Sequence, residues 1–172
     1  IELGPGDGSL TKVIINTLKK FPETNKAIKI YLYEKSKFLK KIQKKKIDDK
    51  NVKWITNFNS IKKGPAFFFG NEFFDAIPIK QYSNINNIFF EKCYDVKNEV
   101  DVNETFIRSN KRDIAQIKTF KTLKKLKFLE FPKKGFLELD PIIKKINKLS
   151  GGILLIDYGY LKSDNSNTLQ AV

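Results

Sequence analysis

Along this chain, short continuous apolar runs alternate with stretches in which apolar residues recur at helical spacing. "IEL" is the stub of a first strand. Ser9 can cap a helix over residues 10–20, with Val13, Ile14 and Leu18 as its buried stripe. "AIKIYLYE" (residues 27–34) reads as a second strand, bounded by "PETN" and Ser36. Residues 36–46 predict a lysine-rich helix with Phe38, Leu39 and Ile42 inward. "VKWITNF" is a third strand. "PAFFFGNEFF" opens with a fourth and "GGILLIDYGY" with a fifth, both apolar throughout, as strands covered on two faces should be. Residues 139–149 predict the helix before the fifth strand. This alternation specifies an α/β fold with a doubly wound, mostly parallel, Rossmann-like sheet.

Residues 82–135 break the pattern. "NIFFEKCYDV" and "NETFIRS" look like antiparallel strands, and "KRDIAQIKTFKTLKKLKF" like a weak helix or a mobile loop. They form an antiparallel and helical insertion on the ligand side of the sheet. The expected organisation is one domain over 1–172, with 82–135 inserted. The chain has no methionine and its first strand is cut short, so we expect a fragment truncated at both ends. Such a piece should leave neighbouring apolar strands poorly covered.

Composition removes several chemistries. With no histidine and only Cys93, a zinc site, a histidine-based triad and an internal disulfide are not available within this segment. One cysteine suits a reducing compartment, the cytoplasm of a bacterium or the mitochondrial matrix of a eukaryote. No apolar run approaches the ~18 residues of a membrane span. The net charge of +14 comes almost wholly from lysines scattered among Ile and Asn. A groove that reads bases would favour arginine's planar fork, and only Arg108 and Arg112 are present.

The candidate chemistry starts with "ELGPGDGSL". Gly4, Gly6 and Gly8 alternate directly after a strand, where the backbone must turn sharply and approach a ligand. A dinucleotide fingerprint needs a third glycine where Ser9 or Thr11 stands. No Gly-Lys-Ser/Thr follows for a phosphate loop. The pattern is instead Glu2 followed by Gly4, Gly6 and Gly8. Glu34 ends the second strand, where a carboxylate can accept both hydroxyls of a ribose. Asp7 would repel a pyrophosphate. A cofactor with a ribose, an adenine and no phosphate fits, and S-adenosylmethionine is one. Glu2, Gly4, Gly6, Gly8, Glu34 and Asn71 are the candidate cofactor residues.

The second motif is "GNEFFDAIPIKQY". Asn71 and Glu72 fall at the end of the fourth strand, and Glu72 and Asp75 share a face if a helix starts there. The alternative is that both carboxylates merely cap that helix. Asp157 ends the fifth strand, where it either lines the same cleft or caps a turn.

"ELGPGDGSL", "NEFFDAIPIKQY", "GGILLIDYG" and "NTLQAV", in this order, resemble the MidA-type class I methyltransferases. That family includes the mitochondrial arginine methyltransferase needed for assembly of respiratory complex I. The resemblance covers the chain nearly end to end, although residues 95–135 match little. Asp7 departs from the basic residue usual after GPG, and family members continue past both ends of this chain. The resemblance implies methyl transfer from S-adenosylmethionine to an arginine of a protein substrate. Glu72 and Asp75 would clamp the guanidinium, with Asn71 as a polar contact at the methyl-bearing end. A protein substrate and a second copy of the chain are the expected partners, with no metal. Three other readings stay open: a nucleic-acid methyltransferase, a non-catalytic assembly factor that binds the cofactor for structure, and, fitting the glycines least, a dinucleotide oxidoreductase.

Overall fold

The computed structural model describes residues 1–97, 101–159 and 168. They divide into two compact units: Ile1–Ala76 with Glu138–Tyr158, and Ile77–Leu137 with the chain from Gly159. The first unit opens with β1 (Glu2–Leu3), α1 (Ser9–Leu18), α2 (Pro22–Ala27), β2 (Ile30–Tyr33), α3 (Lys37–Lys46), β3 (Val52–Ile55) and β4 (Ala66–Asn71). The second holds β5 (Lys80–Ile85), β6 (Ile88–Lys97), β7 (Asp101–Arg108), α4 (Lys111–Thr119) and β8 (Phe128–Phe131). After α5 (Lys133–Leu149) comes β9 (Gly151–Ile156), which belongs to the first unit.

The doubly wound sheet expected from the sequence is present. β3-β2-β1-β4-β9 form five parallel strands, and strand order reverses between β1 and β4. Successive strand residues face opposite sides, so adjacent Leu32 and Tyr33 mark the two cores. Leu32 packs with Ile15 of α1, Ile47 and Val52. Tyr33 packs with Leu3, Phe58, Phe68 and Ile142 of α5. Although β1 is only two residues long, both are buried. The thin cover falls elsewhere. On the α1 side, β4 and β9 present Phe67, Phe69, Leu154 and Ile156 to a largely apolar cavity of about 770 Å³, closed on one side by Leu10 and Ile14. Phe67 is 64% exposed and Leu154 61%. Continuous apolar sequence in β4 and β9 therefore does not mean cover on both faces, because α1 closes only one side of that cavity, through Leu10 and Ile14.

Other expectations shift locally. The buried residues of α1 are Thr11 and Ile15, whereas Val13 is exposed and Ile14 and Leu18 only half-buried. "PETN", expected only as the boundary of a strand over 27–34, starts α2, with Pro22 in its first turn, where a missing N–H does no harm; α2 takes in Ala27 and the strand runs Ile30–Tyr33. In α3, Phe38 is 70% exposed and Gln43 is the residue fully buried. The helix predicted over 139–149 starts earlier, at Lys133.

In the second unit, β7-β6-β5-β8 form an antiparallel sheet. Tyr82, Phe89, Leu129 and Phe131 from its strands pack on Ile117 of α4. The strands expected at 87–96 and 103–109 and the helix beginning near Lys111 are found, but that helix ends at Thr119, and Phe128, the last residue of the stretch expected as a weak helix or mobile loop, opens β8 (Phe128–Phe131). Asn110 caps α4 by accepting from the Asp113 N–H at 2.9 Å. Asp113 itself is buried and accepts from Tyr82 Oη at 2.8 Å, Lys80 Nζ at 3.1 Å, Asn110 Nδ2 at 3.0 Å and Lys133 Nζ. Those donors hold its carboxyl well below the usual range against the opposing effect of burial.

Candidate functional site

β1 ends beside the point where strand order reverses, the place where open α/β sheets bind ligands. The turn that follows carries Gly4, Gly6 and Gly8 at φ of 61°, 54° and 83°, all in the left-handed region. Side chains resist that region, so the alternating glycines are a backbone requirement. A Cβ would also collide with Phe73 at Gly4 (2.9 Å) and with Ile47 at Gly8 (2.8 Å). At Gly6 it would meet no protein atom within 4 Å. Gly4 and Gly8 thus serve close packing, while the turn at Gly6 leaves room for a ligand to approach main chain.

Two neighbours fix the turn. Gly4 N donates to Tyr33 O at 3.1 Å, tying it to the end of β2. Asp7 Oδ1 accepts from Ser9 N at 2.9 Å and its other oxygen pairs with Lys46 Nζ of α3. Ser9 is therefore the first residue of α1 rather than its cap; Gly8 holds the cap position, and Asp7 supplies the acceptor. Hydrogen bonds from Lys46 and Ser9 hold the Asp7 carboxyl below its usual range. A carboxylate at this helix N-terminus takes up a donor that a pyrophosphate would need, which weighs against the dinucleotide reading.

Glu2 is buried behind the turn and accepts from the Thr11 hydroxyl of α1. Burial pushes its pKa up. Glu34, one residue past β2, is buried as well. Its Oε1 accepts from Ser36 N at 2.7 Å and its Oε2 from Gln43 Nε2 at 3.0 Å. Gln43 Nε2 also donates to Gly6 O at 2.7 Å, and Gln43 Oε1 accepts from Trp54 Nε1 at 2.9 Å. A carboxylate offers about four acceptor positions, so Glu34 keeps capacity for hydroxyl donors. The sequence reading missed Gln43. The signal was a lone uncharged polar residue within a lysine run, and the apolar Phe38 drew attention to the wrong face.

Beyond β4, no helix starts. Residues 72–77 are turn and bend, and Glu72 takes φ 51°. With no helix over these residues, neither the shared helix face nor the capping of that helix by Glu72 and Asp75 is realised. Instead Glu72 N donates to Ile156 O at 2.8 Å, joining the ends of β4 and β9. A non-glycine residue held in that region stores backbone strain, a feature that concentrates at functional sites. Asn71, Glu72, Asp75, Asp157 and Tyr158 are all exposed at this end of the sheet. The charges of Glu72, Asp75 and Asp157 raise the pKa of the Tyr158 hydroxyl, Glu72 most strongly. These three carboxylates thus share one locality, beside the glycine turn through the Phe73 contact. Asp157 also accepts from Tyr158 N at 2.9 Å. Among the described residues no group of three His, Cys, Asp or Glu side chains stands ready to hold a metal ion, and no helix is long and apolar enough to cross a membrane.

A family model described as "Putative S-adenosyl-L-methionine-dependent methyltransferase" matches residues 1–172. The chain is 27% identical over 202 residues to the mitochondrial protein arginine methyltransferase NDUFAF7 homolog of Caenorhabditis elegans, covering 99% of this chain and 45% of that protein. It is 24% identical over 183 residues to the mitochondrial protein arginine methyltransferase NDUFAF7 of Danio rerio, covering 93% and 43%. A crystal structure from Burkholderia thailandensis, bound to S-adenosyl-homocysteine, is similar at TM-score 0.66 and 15% identity over 92% of this chain and 41% of that one. A second, native structure from the same organism reaches 0.70 at 16% identity, covering 92% and 42%. The chain spans less than half the length of each of these relatives.

Proposed function

The chain belongs to the S-adenosyl-L-methionine-dependent methyltransferase family, and from that premise we propose that it methylates an arginine side chain of a protein substrate. The observation that carries the arginine reading is that the hydrogen bond from Glu72 N–H to Ile156 O ties the carboxyl ends of β4 and β9 together, so that the exposed Glu72, Asp75 and Asp157 share one end of the sheet. Guanidinium is cationic at every physiological pH and offers five N–H donors in a planar fork. Paired carboxylates bind such a fork through parallel charge-assisted hydrogen bonds. The arginine methyltransferase names of the relatives from worm and fish favour the same substrate class.

The residues divide the work. Gly6 lets the cofactor approach main chain without a Cβ between them, as the open space there allows. Glu34 accepts the ribose hydroxyls on the oxygen positions that Ser36 and Gln43 leave free. Asn71 adds a polar contact at the end of β4. When bound, S-adenosylmethionine supplies an electrophilic methyl group on a sulfonium. Glu72 and Asp75 hold the guanidinium and draw its positive charge toward the nitrogens they face, leaving the far nitrogen better able to attack. Positioning of this kind is the main catalytic resource for an in-line transfer between two bound groups.

Asp75→Asn tests this reading, because it preserves shape and removes charge. With the intact protein and an arginine-containing protein substrate, kcat/KM should fall by at least about 2 kcal/mol, as expected when a cation loses its charged partner in a binding site. Affinity for S-adenosylmethionine should stay constant. Full activity with an unchanged melting temperature would remove Asp75 from the site and leave the arginine reading without its structural support.

A further inference from the structure

Gln43 is the one polar residue of α3 that is fully buried, and its amide touches three different parts of the first unit. Trp54 from β3 donates its indole N–H to Oε1 at 2.9 Å. An indole nitrogen can only donate, so the oxygen of the amide must face Trp54. Its nitrogen must then face the other way, where it donates to Gly6 O at 2.7 Å and to Glu34 Oε2 at 3.0 Å. A flipped amide would set its oxygen against two acceptors and its nitrogen against the indole donor.

Resting on the reading of this site as one for S-adenosylmethionine, we infer that Gln43 is a positioning residue for the cofactor: its amide ties the glycine turn to Glu34 and fixes both before the ligand arrives. Glu34 is oriented by a neutral donor on each oxygen, with no cation paired to it through these bonds, which leaves its remaining lone pairs for ribose hydroxyls. Gly6, at the centre of the turn, is held by its carbonyl while its other face stays open. Ordering both elements in advance saves the binding step from ordering them, which is how pre-organisation raises affinity.

A donor at position 43 makes binding depend on pH in a way that mere packing would not. A glutamate at position 43 is similar in shape but, when ionised, opposes Glu34 and Gly6 O with an acceptor instead of a donor. Once protonated it can donate again. The charged groups on the elements around the amide are Glu34, Glu2, the Asp7–Lys46 pair, and Lys44, whose ammonium sits 5.7 Å over the Trp54 ring. Wild-type titrations over the same pH range subtract their contribution and that of the cofactor's own groups.

The experiment is calorimetric titration of the intact protein with S-adenosylmethionine at pH 5.5 and 8, for wild type, Gln43→Met and Gln43→Glu. Circular dichroism confirms that each variant is folded. Gln43→Met, near in volume, should weaken binding about tenfold at both pH values, the loss for a charge-assisted hydrogen bond. Gln43→Glu should weaken it at least as much at pH 8 and recover most of the loss at pH 5.5. If Gln43→Glu does not fold, Trp54→Phe takes its place: it frees the amide to rotate and should weaken binding about threefold. Tight wild-type binding that folded variants leave unchanged, or a Gln43→Glu loss that is equal at both pH values, overturns the role of Gln43. A wild-type protein that binds no S-adenosylmethionine overturns the function proposed above, a distinct result.

Discussion

Asp113 in the second unit and Glu34 in the first are both carboxylates shut away from solvent, and their surroundings differ in kind. The Asp113 carboxylate receives two lysine ammoniums, a phenol and an amide, and its own backbone N–H donates to the Asn110 side chain. Glu34 receives one backbone N–H and one side-chain amide. The first arrangement neutralises its charge and fills its acceptor positions, so nothing remains for a ligand. The second orients a carboxylate without neutralising it. Burial alone does not say whether an acid is left able to take a ligand; the charge and number of its donors do.

The largest effect that would sharpen this contrast is on stability. Asp113→Ala should destabilise the protein by about 3 kcal/mol in denaturant unfolding, the low end for breaking a buried ion pair, since both lysines keep roughly a third of their side chains in solvent. Glu34→Ala should instead weaken S-adenosylmethionine binding by about 1.5–3 kcal/mol by calorimetry, with little change in unfolding. Equal losses of stability in the two variants would erase the distinction.

Acid should act on the second unit through Asp113. Its native pKa is depressed, so the folded state releases that proton more readily than the unfolded chain, whose value is about 3.9. The stability it contributes is complete above about pH 4 and is lost as pH falls toward the native value. Unfolding midpoints measured from pH 7 down to 3 should drop in wild type and drop less in Asp113→Ala. Glu2 carries the opposite sign. Burial raises its pKa, so the folded state holds that proton more tightly and loses stability as pH rises through the raised value. Glu2→Gln, whose oxygen can still accept from Thr11, should therefore match or exceed wild type at pH 7 by up to about 1 kcal/mol. A clear loss in that variant would mean the charge of Glu2 is needed.

The parts of the site that follow from backbone geometry were legible in the sequence. Three alternating glycines after a strand imply a turn through left-handed conformations, and an acid at the end of the next parallel strand must lie beside that turn. The parts that depend on how a helix is rotated were not. A shift of one residue moves the α1 face from Ile14 to Ile15, and α3 turns Phe38 outward and Gln43 inward. Hydrophobicity could not foresee this, because a buried amide is stabilised by its partners and those come from distant strands. Nor could it foresee Glu72, whose backbone is set by the Ile156 carbonyl on β9. The apolar runs of β4 and β9 spoke for burial on two faces, yet one face lies open because cover depends on what packs there.

The indole that orients Gln43 belongs to the only tryptophan in the chain. Excitation near the red edge of protein absorbance therefore reports on a single fluorophore, two hydrogen bonds away from both Gly6 and Glu34. Its emission colour and quenching respond to whatever changes the polarity and rigidity around that amide. The protein carries its own optical probe for occupancy of the glycine turn, with no label to attach and no second tryptophan in this chain to blur the signal.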